Sequence, residues 1–181
     1  MIRLTSHKPR KSAWETALDC LSRRALTTHE LEARLSDKGF AGEEIGEAVA
    51  KLVDYGYLND RELALSYVKS RLKRYSRRRV ILDMQNRGIA SRLIEEVLEE
   101  AYSQAEEFQQ CLFLARKWWA QEEQHRQEKA SKDLKGQLIP AELLVQQKVV
   151  RKLIQRGYPS DMVRGVVSEI QSPRNDETID F

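Results

Sequence analysis

Apolar residues along this chain recur at the three- and four-residue spacing of amphipathic helices, and almost nowhere with the two-residue alternation of strands. The pattern is anchored on three glycines. Leu-Ser-Asp-Lys-Gly-Phe at 35–40, Met-Gln-Asn-Arg-Gly-Ile at 84–89 and Leu-Ile-Gln-Arg-Gly-Tyr at 153–158 share one layout. Eight residues before each glycine stand Leu31, Val80 and Val149; four before stand Leu35, Met84 and Leu153. After it come Phe40, Ile89 and Tyr158 at +1, Ile45, Ile94 and Val163 at +6, and Leu52, Ala101 and Ile170 at +13. A glycine in the left-handed conformation just past a helix end frees the chain to turn, and such an ending pairs the residue after it with the one four before it. Contacts of Phe40 with Leu35, Ile89 with Met84 and Tyr158 with Leu153 are therefore expected.

Each glycine thus joins two helices with facing apolar stripes, and a third helix precedes each pair, over Ser12 to Ala25, Asp60 to Arg74 and Ser103 to about Gln121. Thr27 with Glu30, and Ser103 with Glu106, read as capping boxes; Asp60, Ser76 and Ser91 stand at expected N-caps. Gly56-Tyr57 repeats the glycine stop, with Leu52 four residues before Gly56. The expected fold is all-α, with three tandem three-helix, helix-turn-helix-like repeats in an elongated, curved body. The spans are a flexible N-terminus at 1–11, repeats at 12–58, 59–102 and 103–171, and a disordered tail at 172–181. Gly39 and Gly88 lie 49 residues apart but Gly88 and Gly157 lie 69 apart. The excess falls in a polar insertion near 121–139, read as an exposed helical extension or a loop, and Pro140 suits the first turn of the eighth helix.

Composition narrows the class. At 41% hydrophobic and 33% charged, with 8 Gly and 4 Pro in 181 residues, the chain is neither disordered nor fibrous. A net charge of +3 says little about partners, but its distribution says more. Residues 69–92 carry nine basic side chains against Asp83, a net of +8, whereas 93–123 carry eight glutamates against Arg116 and Lys117, a net of −6. Lys69, Arg71, Lys73, Arg74, Arg77, Arg78, Arg79 and Arg87 are the candidate contacts for a partner or DNA. Arg77–Arg79 crowd the first turn of a helix, where positive charge opposes the dipole. Either an anionic partner or the Glu-rich sixth helix must offset them.

Other chemistry has little support. Cys20 and Cys111 belong to no cluster and read as core residues in a reduced, cytoplasmic protein; no apolar run is long enough to span a membrane. His7, His29 and His125 read as surface residues. Glu43/Glu44, Glu95/Glu96 and Glu99/Glu100 could hold a metal for nuclease chemistry but fit solvated faces better. With no phosphate-cradling loop or nucleophile elbow, the chain reads as a binding protein that needs no cofactor or metal, not an enzyme. Of the adjacent Trp118 and Trp119, at least one is expected in the core.

The run Gly56-Tyr57-Leu58-Asn59-Asp60-Arg61-Glu62-Leu63-Ala64, with Tyr67, Arg71 and Arg87-Gly88-Ile89, resembles the RecX family of bacterial recombinase regulators, over about residues 12–171. The resemblance implies a monomer that lies along the RecA filament groove, contacts protein and single-stranded or double-stranded DNA, and suppresses filament growth, ATP hydrolysis and strand exchange. That role would bear on homologous recombination, DNA repair and the SOS response. On this reading Tyr57 is chiefly a helix-stop residue, and the arginines of the middle repeat make the contacts. The rival is a helix-turn-helix regulator that binds duplex DNA without RecA.

Overall fold

The computed structural model describes residues 11–130 and 140–172. The expected N-terminus up to residue 10, part of the insertion (131–139) and the tail from 173 onward lie outside them. Among the described residues there are nine helices and no strand: α1 (Ala13–Leu21), α2 (Thr28–Asp37), α3 (Gly42–Asp54), α4 (Asp60–Arg71), α5 (Arg77–Asn86), α6 (Ser91–Ala101), α7 (Gln104–Ala130), α8 (Ala141–Gln155) and α9 (Ser160–Gln171).

The glycine stops form as the pattern requires. Gly39, Gly56, Gly88 and Gly157 all have positive φ, from 72° to 88°. At each stop the glycine N–H donates to the carbonyl three residues back, and the next N–H donates to the carbonyl five back, from Phe40 to Leu35, Tyr57 to Leu52, Ile89 to Met84 and Tyr158 to Leu153. Leu35, Leu52, Met84 and Leu153 are fully buried, each worth roughly 1.5–3 kcal/mol of burial. Ile89 and Tyr158 are buried with them, but Tyr57 is 62% exposed. Its backbone closes the stop while Leu58, one residue on, enters the core.

Helix starts agree in part. Both capping boxes are present: the Glu30 N–H donates to Thr27 Oγ1 at 3.0 Å, and Ser103 and Glu106 exchange hydrogen bonds of 2.6 and 3.3 Å. Ser76 caps α5 through the Arg79 N–H at 3.2 Å. At α4 the cap is Asn59, whose side-chain oxygen accepts from the Glu62 N–H, while Asp60 sits inside the helix and accepts from the Thr28 N–H at 2.8 Å. Ser91 is likewise the first residue of α6 rather than its cap, and Pro140 precedes α8 instead of lying in its first turn. α7 runs on as a helix to Ala130, so the described part of the insertion is helical extension.

The packing separates into two compact units whose border passes through α4, α5 and α6. One comprises the described residues up to Val68 together with Asp83–Leu98; the other comprises Lys69–Leu82 and the described residues from Glu99 onward. In the first, α1, α2 and α3 pack mutually around Ala17, Cys20, Leu31, Leu35, Ile45 and Leu52. In the second, α7, α8 and α9 do the same around Cys111, Ala115, Trp119, Val149, Leu153 and Val166. Both cysteines are buried, and burial pushes the Cys111 thiol up to about 12. Of the tryptophans, Trp119 is in the core and Trp118 is half-buried.

Candidate nucleic-acid interface

The basic stretch of residues 69–79 belongs to the second unit, where short polar turns and capped helices expose it. Lys69, Arg71, Lys73, Arg74, Arg78 and Arg79 are all exposed. Arg77 is half-buried and tied down. Its backbone N–H donates to Glu107 Oε1 at 2.7 Å, and its guanidinium donates to the Tyr102 carbonyl at 3.0 Å. Glu107, itself buried, therefore already occupies the start of α5 with a carboxylate. That carboxylate comes from α7 and lies at the Arg77 backbone N–H. Arg87 lies in the first unit, apart from the other seven. Its guanidinium grips the Glu30 carboxylate through Nε (3.0 Å) and Nη2 (2.9 Å), and rests 5.5 Å from the Tyr67 ring centroid. That fork, with help from the Thr27 N–H, holds the Glu30 carboxyl below its ordinary range despite partial burial.

The structure adds residues that the charge pattern did not single out. Arg156, at the end of α8, lies over Tyr75 at 4.8 Å and over Trp118 at 5.6 Å, and donates to the Arg74 carbonyl at 3.4 Å. Arg71 covers Tyr75 at 5.5 Å, and Lys152 approaches Trp118 at 5.9 Å. Arg71, Tyr75, Arg156, Trp118 and Lys152 thus alternate cation and ring along one face. A ring orients a guanidinium plane without neutralising its charge. Lys152 also donates to Glu122 (2.7 Å), as does Lys148 (2.8 Å), and these two bonds hold the Glu122 carboxyl down at about 2. The −1 position of the Arg-Gly stop was the available sequence signal for Arg156. Its ring partners come from α7 and from the turn before α5, too far along the chain for periodicity to join them.

The acidic clusters are surface features. Glu43, Glu44, Glu95, Glu96, Glu99 and Glu100 are exposed, Glu44 accepts from the Ala41 N–H, and Glu96 pairs with Arg92. Among the described residues no group of three or more His, Cys, Asp or Glu side chains could hold a metal, and no helix is long and apolar enough to cross a membrane. His125 is exposed; His29 is exposed too, but its ring lies against Gly88; His7 is outside the described residues.

Two family models match this architecture: the first three-helix domain of RecX over residues 13–52 and the second over residues 59–98. The chain belongs to the RecX family. The regulatory protein RecX of Caldanaerobacter subterraneus is 41% identical over 98 residues, 54% of this chain and 50% of that protein. RecX of Chromobacterium violaceum is 28% identical over 158 residues, 87% of this chain and 90% of that one. The chain spans about half the length of the Caldanaerobacter and Listeria monocytogenes RecX proteins it matches, at 50% and 53%. The crystal structure of RecX from Lactobacillus salivarius aligns with a TM-score of 0.64 at 21% identity, covering 87% of this chain and 94% of that one, and shares the all-helical fold.

Proposed function

We propose that this RecX-family chain binds the RecA recombinase filament on DNA and slows its growth, ATP hydrolysis and strand exchange, and thereby modulates recombination, DNA repair and the SOS response. Family membership supports a regulatory role, and the resemblance of its Gly-Tyr-Leu-Asn-Asp segment supplies the partner. The observation that carries the reading is the cation-aromatic face of the second unit. Lys73, Arg74 and Arg78 are exposed in the same unit as Arg71, Arg156 and Lys152, and such a set of cations and rings is suited to a phosphate backbone or an acidic filament surface. Arg77 and Arg87 contribute by holding the fold, and the exposed cations by touching the partner.

The helix-turn-helix reading has less support. The helices that follow the first two glycine turns, α3 and α6, would have to enter a groove, yet they expose Glu43, Glu44, Glu47, Glu95 and Glu96, which repel phosphates.

The test compares the protein with a Lys73→Glu/Arg74→Glu/Arg78→Glu variant in binding to RecA filaments assembled on oligo-dT. We expect affinity to fall at least about tenfold and the dependence on salt to become less steep, by a slope of roughly two, since each phosphate contact on a single strand contributes about 0.7. Unchanged affinity and slope would remove this face from the interaction.

A further inference from the structure

Lys148, Lys152 and Arg156 stand four residues apart, so their side chains leave one face of α8 at steps of about 6 Å along its axis. Arg156, the C-cap, keeps helical backbone angles and stays in this row. The three cations are not held alike. Arg156 rests against the Tyr75 and Trp118 rings and donates to the Arg74 carbonyl, partners without net charge. Lys148 and Lys152 share one carboxylate: Glu122, on α7, accepts from Lys148 through Oε2 at 2.8 Å and from Lys152 through Oε1 at 2.7 Å. The two ammoniums therefore bracket a single anion, each bonded to a different oxygen. They also lie outside it, since the Glu122 side chain is 14% exposed and those of Lys148 and Lys152 are 57% and 39% exposed. An ammonium has three N–H donors, so each lysine keeps donors for a ligand on its solvent side.

A carboxylate spanned by two lysines holds the place that a phosphate of a polyanion would take, and here the chain itself supplies it. Two positive charges against one negative leave the pair attractive to a further anion. Spacing and neighbours favour a nucleic-acid strand over an acidic protein surface. The cations recur at even steps on one helix face, as phosphates recur along a strand. The row also runs beside Trp118 and Tyr75, rings of the kind on which unpaired bases stack. An acidic protein surface would use the cations but has no need of the rings.

We propose that Lys148 and Lys152 extend Arg156 into a phosphate-binding row for single-stranded nucleic acid, and that Glu122 is its built-in competitor, holding both lysines until a strand takes its place. The proposal rests on the reading of the second unit's cation-aromatic face as a partner surface, and it adds to that face two binding lysines and one carboxylate that weakens binding. Glu122 is fixed beside the lysines, so its competition does not fall with dilution. A free anion meets that competition with one charge, whereas a strand meets it with several tethered phosphates, and the device therefore favours polymers.

The test follows binding of fluorescein-labelled oligo-dT to the full chain by anisotropy over a range of salt. Glu122→Gln keeps the shape of the side chain and removes its charge. Affinity should rise about three- to tenfold, and the salt dependence should steepen by a slope of roughly 0.7 to 1.4, that of one or two more phosphate contacts on a single strand. Glu169→Gln, which releases Arg116 and changes the net charge equally, should leave both nearly unchanged. Adding Lys148→Gln/Lys152→Gln to Glu122→Gln should cancel the gain. NMR of the natural chain keeps the test decisive if a variant fails to fold: on titration with oligo-dT the Glu122 carboxyl carbon and the Lys148 and Lys152 ammonium signals should shift together. No gain with a folded Glu122→Gln, an equal gain with Glu169→Gln, or signals that stay in place while oligo-dT binds would overturn the proposal. So would tightening toward RecA filaments without tightening toward bare oligo-dT, which would give the lysines to an acidic protein surface. The filament reading fails separately, when the natural chain leaves RecA filaments unbound while the oligo-dT results hold.

Discussion

Arginines of one composition-level cluster carry different loads. Arg87 is held in a bidentate pair with Glu30 and over Tyr67, whereas Arg78 is exposed on the first turn of α5. Arg87→Ala strands a half-buried carboxylate and should cost about 1–3 kcal/mol, while Arg78→Ala should stay within about 0.5 kcal/mol, both read from urea unfolding midpoints. Equal effects would contradict this division. The sequence showed that positive charge gathers at 69–92 but not which cations are consumed inside the fold. Glu30 and Arg87 are 57 residues apart, and Glu107 and Arg77 are 30 apart. Pairings at that range depend on how helices cross, which local periodicity does not encode.

Helix ends were far more legible, because their determinants are local. Each stop is written in a glycine, the apolar residue four before it and the residue after it, and all four closed as expected in the backbone. What covers a stop was not legible, and it changes the cost of a mutation. Gly39→Ala should cost about 1–2 kcal/mol, the strain of a left-handed Cβ. Gly88→Ala adds overlap with the His29 ring and should cost about 2–5 kcal/mol. Thermal unfolding of the two variants checks the order; a larger loss at Gly39 would contradict the packing. Between α7 and α8 the clamp is electrostatic. Bonds from Lys148 and Lys152 depress the Glu122 carboxyl from an ordinary 4.5 to about 2. A depressed carboxyl contributes stability that is present above about 4.5 and is lost as pH falls toward 2. Glu122→Gln should therefore flatten stability between pH 4.5 and 2 and matter less below it; an unchanged acid profile would show that the clamp is screened by solvent.

At the scale of the molecule, the three-fold repeat and the two packing units are different divisions of one chain. The repeat is a property of helix ends, so it shows in sequence. The border through α4, α5 and α6 reflects what each part packs on, since the start of α5 meets the end of α8 and its end meets the start of α2. The family and the all-helical architecture were legible from the Gly-Tyr-Leu-Asn-Asp run and the glycine stops. The cation-aromatic face was not, since Tyr75, Trp118 and Arg156 come together only on folding. The most direct measurement titrates the chain in substoichiometric amounts into RecA with single-stranded DNA and ATP and follows hydrolysis. The account predicts progressive inhibition by the natural chain and a markedly weaker effect of the Lys73→Glu/Arg74→Glu/Arg78→Glu variant. Hydrolysis unaffected by the natural chain would contradict it.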